Sequence, residues 1–100
     1  MIEVRQTPVF RGWLADLKDR RAAARIAVRL ARLELGLFGD VKPVGEGLSE
    51  LRVNYGPGYR VYLMQRGEVL IVVLCGGDKS DQVRDIKRAK TMARELEKAT

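Results

Sequence analysis

The chain reads LSELRVNYGPGYRVYLMQRGEVLIVVLCGGDKS over residues 48–80, and this segment decides the fold. It holds three short apolar runs that are separated by polar or glycine-rich breaks, a pattern that predicts three strands joined in an antiparallel meander. The third run is apolar on both faces, which is typical of a central strand, and Gly76-Gly77 is predicted to end it. The predicted strands are residues 48–53, 59–65 and 69–75.

Each of the first two of these strands carries an arginine. Side chains alternate between the two faces of a strand, so Glu50 and Arg52 share a face, as do Arg60 and Tyr62 on the next strand. Lys79 follows the third strand. These cations, collected on or beside one sheet, indicate a binding site for a polyanion.

The flanking sequence predicts one further strand and three helices. Residues 2–5 alternate between apolar and charged side chains, and Thr7-Pro8 is typical of an N-cap followed by proline at the first helical position. A second helix is expected over residues 22–35, a loop over residues 40–47, and a last helix, capped by Asp78 or Ser80, up to about Lys98. The order indicates a single α+β domain that spans residues 1–100.

The composition restricts the function classes. Nineteen Lys and Arg against 13 Asp and Glu give a net charge of +6, which favours nucleic acid or an acidic protein as the partner. The chain has no histidine, so zinc sites built on histidine and Ser-His or Cys-His catalysis are excluded. Cys75 is the one cysteine, so no internal disulfide forms. The sequence shows neither a signal peptide nor a 20-residue apolar run, and we expect a cytoplasmic protein without membrane contact.

Four arginines form a stripe along the second predicted helix. They are spaced three or four residues apart, and no glutamate stands among them. Two interpretations remain open, a solvated outer face or an electrostatic track for a phosphate backbone or an acidic partner. The four are Arg21, Arg25, Arg29 and Arg32.

The layout and motifs resemble the RelE/ParE superfamily of bacterial toxins, in particular the HigB-like branch called addiction module killer proteins. The resemblance covers nearly the whole chain. It implies a small antiparallel sheet, made of the N-terminal strand and the three-stranded meander, with helices packed on one side of it and a C-terminal helix. The matching segments are residues 48–52, 56–62 and 74–80, followed by Asp85-Ile86.

The resemblance also implies a function. Members of the superfamily are toxins of type II toxin–antitoxin systems, and we expect a metal-independent endoribonuclease that cuts mRNA at the ribosome and needs no cofactor. The implied partner is a helix-turn-helix antitoxin, through which alone the toxin would meet operator DNA. Two alternatives are a ParE-like inhibitor of DNA gyrase and an inactive relative that binds only its antitoxin or DNA.

The same resemblance implies candidate site residues. Arg52, Arg60 and Lys79 match basic positions of the RelE pattern and are the catalytic candidates, with no metal site. The general acid and base stay open among Lys79, Asp78, Asp85, Glu50 and a turn tyrosine, because the last helix begins without the usual tyrosine or histidine. The RNA-binding candidates are Arg25, Arg29, Tyr59, Arg84 and Lys87.

Overall fold

A five-stranded mixed sheet lies between helices on both of its faces in the computed structural model, which describes residues 1–99. The strands lie in the order β1-β5-β4-β3-β2; β1 runs parallel to β5 and the other neighbours are antiparallel. The elements are β1 (Glu3–Gln6), α1 (Pro8–Asp16), α2 (Arg20–Leu33), β2 (Val41–Gly45), β3 (Leu48–Val53), β4 (Tyr59–Arg66), β5 (Leu70–Asp78), a 3₁₀ turn (Lys79–Asp81) and α3 (Gln82–Lys98). The predicted α+β class is confirmed.

The arrangement of the layers differs from the expectation of an antiparallel sheet with helices on one side. We call the sheet surface covered by α1 and α2 the α1/α2 face; its core includes Phe10, Ile26 and Leu51. The opposite surface, the α3 face, packs Tyr62 and Met64 against α3. Successive residues of β4 point to opposite faces, so both faces are apolar and each needs its own helical cover.

Two sheet features were predicted wrongly. The segment 40–47, expected to be a loop, contains β2, in which Val41 pairs with Leu51 of β3. The N-terminal strand joins the sheet in parallel, with Glu3 beside Leu70, rather than as part of an antiparallel sheet.

The glycine pair Gly76-Gly77 does not end the third meander strand, which continues as β5 to Asp78. A Cβ atom on Gly76 would lie 2.6 Å from the Trp13 ring, on the α1/α2 face. A Cβ atom on Gly77 would lie 1.9 Å from Asp85 Oδ2, on the α3 face. The two glycines therefore allow α1 and α3 to approach the sheet closely, a role that glycine has in strands besides that of a breaker.

Local capping explains where α1 and α2 begin. The Thr7 hydroxyl accepts from the Phe10 N–H at 3.1 Å and donates to the Leu74 carbonyl at 2.6 Å, so the predicted cap also fastens α1 to β5. Asp19 accepts from the Arg21 and Ala22 N–H groups, and α2 consequently starts at Arg20, two residues before the predicted start. Within residues 1–99, no helix has both the length and the apolar character needed to cross a bilayer.

Candidate functional site

Two arginines face each other across the β3–β4 ladder. Arg52 is the register partner of Arg60, and both lie on the α3 face with Glu50. The alternation of the sequence predicted that Glu50 and Arg52 share a face, and the register adds Arg60 to it. Like charges directly opposite each other destabilise a sheet. Such a pair requires a nearby counter-charge.

Glu50 is that counter-charge, and its side chain is fully buried. Its Oε1 lies 3.1 Å from Arg52 Nε and 3.4 Å from Arg60 Nε; the second contact is an ion pair rather than a well-aligned hydrogen bond. Its Oε2 accepts from the Tyr62 hydroxyl at 3.2 Å and from Gln82 Nε2 at 2.8 Å. We call these five residues the Glu50 cluster. A buried carboxylate is stable only when it is paired and hydrogen-bonded in this way.

Tyr62 enters the cluster as a hydrogen-bond donor. Burial raises the pKa of its phenol strongly, and the adjacent Glu50 carboxylate raises that pKa further. The hydroxyl therefore keeps its proton at neutral pH, which fixes the direction of the hydrogen bond to Glu50.

A cleft of about 300 Å³ opens beside the cluster, and we call it the Lys79 cleft. Arg60 and Lys79 line it together with the 54–58 turn. The Lys79 N–H donates to the Gly58 carbonyl at 2.7 Å, which fastens the start of the 3₁₀ turn to the β3–β4 turn. Gly58 has φ +84°, a conformation that side chains disfavour. A Cβ atom on Gly58 would lie 3.6 Å from Lys79 Cβ and 3.8 Å from Arg60 Nη1, so the backbone of this turn passes close to both cationic side chains.

A larger groove of about 820 Å³, the α2 groove, lies between α2 and the end of β3. Arg29 is held there by three backbone carbonyls, those of Arg52 (2.5 Å), Phe38 (3.1 Å) and Asp40 (3.3 Å). Burial lowers the pKa of its guanidinium, an effect that Asp40 partly offsets. Arg29 thus has a structural task. The groove is lined by Arg21, Ala24, Arg25, Val28, Arg29, Arg32, Asp40, Arg52, Val53, Asn54 and Tyr55.

The 54–58 turn lies between the two hollows, and two of its residues line both of them. Asn54 and Tyr55 line the α2 groove and also the Lys79 cleft. The Arg25 guanidinium lies over the Tyr55 ring, 4.5 Å from its centroid, a cation–π contact. The structure therefore brings Arg25, Arg29 and Arg52 together around the groove and Arg60 with Lys79 in the cleft.

Three of the RNA-binding candidates lie away from these hollows. Tyr59 is on the α1/α2 face, where it is only 7% exposed and packs edge-on against Trp13. Arg84 is exposed on α3 and pairs with Asp81 at 3.2 Å and with Asp85 at 3.6 Å. Lys87 is exposed one helical turn further along α3.

Burial narrows the set of candidate proton-transfer groups. Glu50 and Asp85 lie beneath the surface. Asp78 accepts from the Ser80 hydroxyl and N–H, and the hydroxyl hydrogen bond is the main reason for its lowered pKa. Lys79 and Tyr55 both line the Lys79 cleft. These two have access to a bound substrate.

Sequence reasoning did not identify the contributions of Tyr62 and Gln82. The strand alternation placed Tyr62 beside Arg60 and signalled its position, although not its bond to Glu50. Gln82 is the first residue of α3, and no sequence signal indicates that its amide reaches across 32 residues to Glu50.

The fold and the site define a small, basic α+β protein with a buried carboxylate–guanidinium cluster beside two arginine- and lysine-lined hollows. A comparison with known family models finds no match. An uncharacterized protein of Haemophilus influenzae is 52% identical over 95 residues, which cover 95% of this chain and 96% of the relative. The chain belongs to the same protein family as this Haemophilus influenzae protein.

Proposed function

We propose that this protein is the toxin of a type II toxin–antitoxin system and acts as an mRNA endoribonuclease of the RelE/ParE type. The observation that carries the proposal is the Lys79 cleft, where Arg60 and Lys79 meet at a glycine-rich turn. Arg52 adjoins it through their shared counter-ion Glu50. All three residues that the resemblance selected as catalytic thus belong to one connected region.

The chemistry of the cleft suits phosphodiester cleavage. The 2′-oxygen attacks the adjacent phosphorus, the bond to the 5′-oxygen breaks, and a 2′,3′-cyclic phosphate and a 5′-hydroxyl result. Guanidinium and ammonium groups stabilise the charge that builds on the phosphate oxygens, which is the task we assign to Arg60 and Lys79. The proton that leaves the 2′-hydroxyl and the proton that the 5′-oxygen gains require a group inside the cleft, and Lys79 and Tyr55 are positioned for this.

The α2 groove suits an acidic partner. Its exposed arginines surround Val28, an apolar side chain that is 50% exposed. A phosphate backbone gains nothing from this valine, whereas an acidic amphipathic segment would bury it and pair carboxylates with the arginines. We assign the groove to the antitoxin. A complex whose contacting segment carries no carboxylates would contradict this assignment.

The proposal is tested by pulse labelling after induction of the gene, with methionine and thymidine incorporation followed over the first minutes. We expect protein synthesis to stop first. Lys79→Ala should reduce the rate of RNA cleavage by about 100-fold, the size of effect found when one transition-state donor is removed. Because Lys79 is exposed, this variant leaves the Glu50 cluster in place.

Lys18→Ala is the matched control, since it removes an exposed lysine between α1 and α2, outside both hollows. Its toxicity should equal that of the wild type. An early stop in DNA synthesis would favour gyrase inhibition instead, and full toxicity of Lys79→Ala would contradict the nuclease mechanism.

A further inference from the structure

We infer that Glu50 is the positioning residue of the cationic site, holding the catalytic cations in their working arrangement without touching the substrate. This inference rests on the nuclease function proposed for the Lys79 cleft. It assigns to Glu50 a task different from proton transfer, which its full burial prevents.

The geometry of the contacts between Glu50 and the two arginines supports this inference. Glu50 Oε1 contacts both arginines at Nε, the inner edge of each guanidinium. Arg60 Nη1 also donates to the Tyr59 carbonyl at 3.3 Å, so this guanidinium is held at two points, and Arg60 is among the residues that line the cleft. Fixing a long side chain in advance removes the entropy cost of ordering it when a phosphate arrives. The carboxylate therefore aims the arginines as well as neutralising them.

The second carboxylate oxygen of Glu50, Oε2, connects the cluster to α3. Oε2 accepts from Gln82, the first residue of α3, at 2.8 Å. Lys79 lies in the 3₁₀ turn that leads directly into this helix. Glu50 thus contacts two cations directly and holds the start of the helix that follows the third, so a single carboxylate ties together all parts of the site. Tyr62 completes the arrangement by fixing the same oxygen from β4.

The charge balance of the site distinguishes a positioning role of Glu50 from a purely electrostatic one. Arg52, Arg60 and Lys79 carry three positive charges and Glu50 one negative, so the site has a net charge of +2. If charge alone mattered, removal of the carboxylate would strengthen RNA binding and leave cleavage unharmed. If Glu50 positions the arginines, its removal leaves binding intact and slows the chemical step, because misplaced donors stabilise the transition state poorly.

The test compares Glu50→Gln with wild type, and Glu68→Gln serves as the matched control. Glu68 is an exposed glutamate in the β4–β5 turn, so the control makes the same chemical change far from the cluster. An mRNA with 2′-O-methyl groups, which cannot be cut, measures binding when it is carried by ribosomes, and single-turnover cleavage of the unmodified mRNA on the same ribosomes measures the chemical step. We expect Glu50→Gln to bind within about threefold of wild type and to cut at least about tenfold more slowly.

Arginine Nε–Hε signals in NMR spectra report the positioning directly. In the wild type the signals of Arg52 and Arg60 should be restricted compared with that of Arg11, an exposed arginine of α1. In Glu50→Gln this restriction should be lost while the backbone spectrum stays folded. Wild-type signals of Arg52 and Arg60 that are as mobile as that of Arg11 would overturn the inference, and this comparison does not depend on any variant folding.

Cleavage by Glu50→Gln at the wild-type rate would also overturn it. A wild type that cuts no RNA but shows restricted Arg52 and Arg60 signals would refute the proposed nuclease function while the arrangement of the cations by Glu50 stands.

Discussion

The two faces of the sheet are buried by different chemistry. On the α1/α2 face the core consists of apolar and aromatic side chains such as Phe10, Ile26 and Leu51, all fully buried. On the α3 face apolar packing occupies one end, while the other holds Glu50, Arg60 and Asp85, the three buried charged residues found within residues 1–99. The sheet therefore has one face that is purely hydrophobic and one that mixes packing with charge.

The difference shows which face stabilises the fold and which specifies the site. Burial of apolar area is non-directional and tolerates small displacements, whereas a buried ion pair contributes little net stability and depends strongly on geometry. We expect substitutions on the α1/α2 face to change stability alone. Substitutions at the charged end of the α3 face should change the arrangement of the cations as well.

Substitutions at Gly76 and Gly77 compare the two faces of the sheet most directly, because these adjacent residues contact opposite faces. Each Gly→Ala substitution should destabilise the protein by about 1–3 kcal/mol, the usual cost of overpacking, as measured by urea unfolding. Gly77→Ala should also slow RNA cleavage, because Gly77 is the register partner of Arg60 and its new methyl group collides with Asp85. Gly76→Ala meets Trp13 instead and should leave cleavage per folded molecule unchanged.

Gly76→Ala thus serves as the control for Gly77→Ala. Equal cleavage rates in two variants of equal stability would show that the two faces of the sheet are functionally alike.

Asp85 allows a smaller test through pH. Burial raises the pKa of its carboxyl above the ordinary value of 3.8, and among residues 1–99 its Oδ2 has no hydrogen-bond partner. A raised folded-state pKa means that the folded protein binds the proton more tightly, so this group's contribution to stability is greatest at low pH and falls as pH rises through the raised pKa. Asp85→Asn should remove this decline and alter stability at pH 7 by about 1 kcal/mol.

Thermal melts of wild type and Asp85→Asn between pH 4 and pH 8 measure the effect. A gap between the two melting temperatures that stays constant over this range would contradict the buried, proton-binding carboxyl.

The smallest effect is expected at an exposed ion pair. Arg94 of α3 donates to Glu46 Oε1 at 2.8 Å, with both side chains largely in solvent. Exposed pairs gain little because water screens them and the long side chains lose freedom. Arg94→Ala should therefore leave the urea midpoint unchanged, in contrast to the buried Arg60. A clear loss of stability that disappears in high salt would show that charge on α3 matters beyond the cluster.

Local pattern was sufficient to predict most of the elements and the composition of the site. The alternation in β3 placed Glu50 beside Arg52, and that in β4 placed Arg60 beside Tyr62. The capping residue Thr7 located the start of α1. Both features depend on neighbours within a few residues, where side-chain period and hydrogen-bonding chemistry act directly.

The unpredicted features depend on contacts between distant residues. Gly76 and Gly77 predicted the end of a strand. Their actual role is to leave room for Trp13 and Asp85, and only the folded chain brings these two side chains near the glycines. Glu50 entered the sequence argument as one of several proton-transfer candidates, and its burial and its bond to Gln82 arise from the packing of α3 on the sheet. The local pattern of a single sequence does not determine which helix packs on which face of the sheet.

The parallel pairing of β1 with β5 governs when the sheet is completed during synthesis. Glu3 lies beside Leu70 and Gln6 beside Val73, so β1 cannot pair until β5 has been synthesised. Until then the growing chain lacks the pairing that completes this edge of the sheet. The residues from Glu50 to Gln82 therefore reach their final arrangement late in translation, and a truncated chain lacks a finished site.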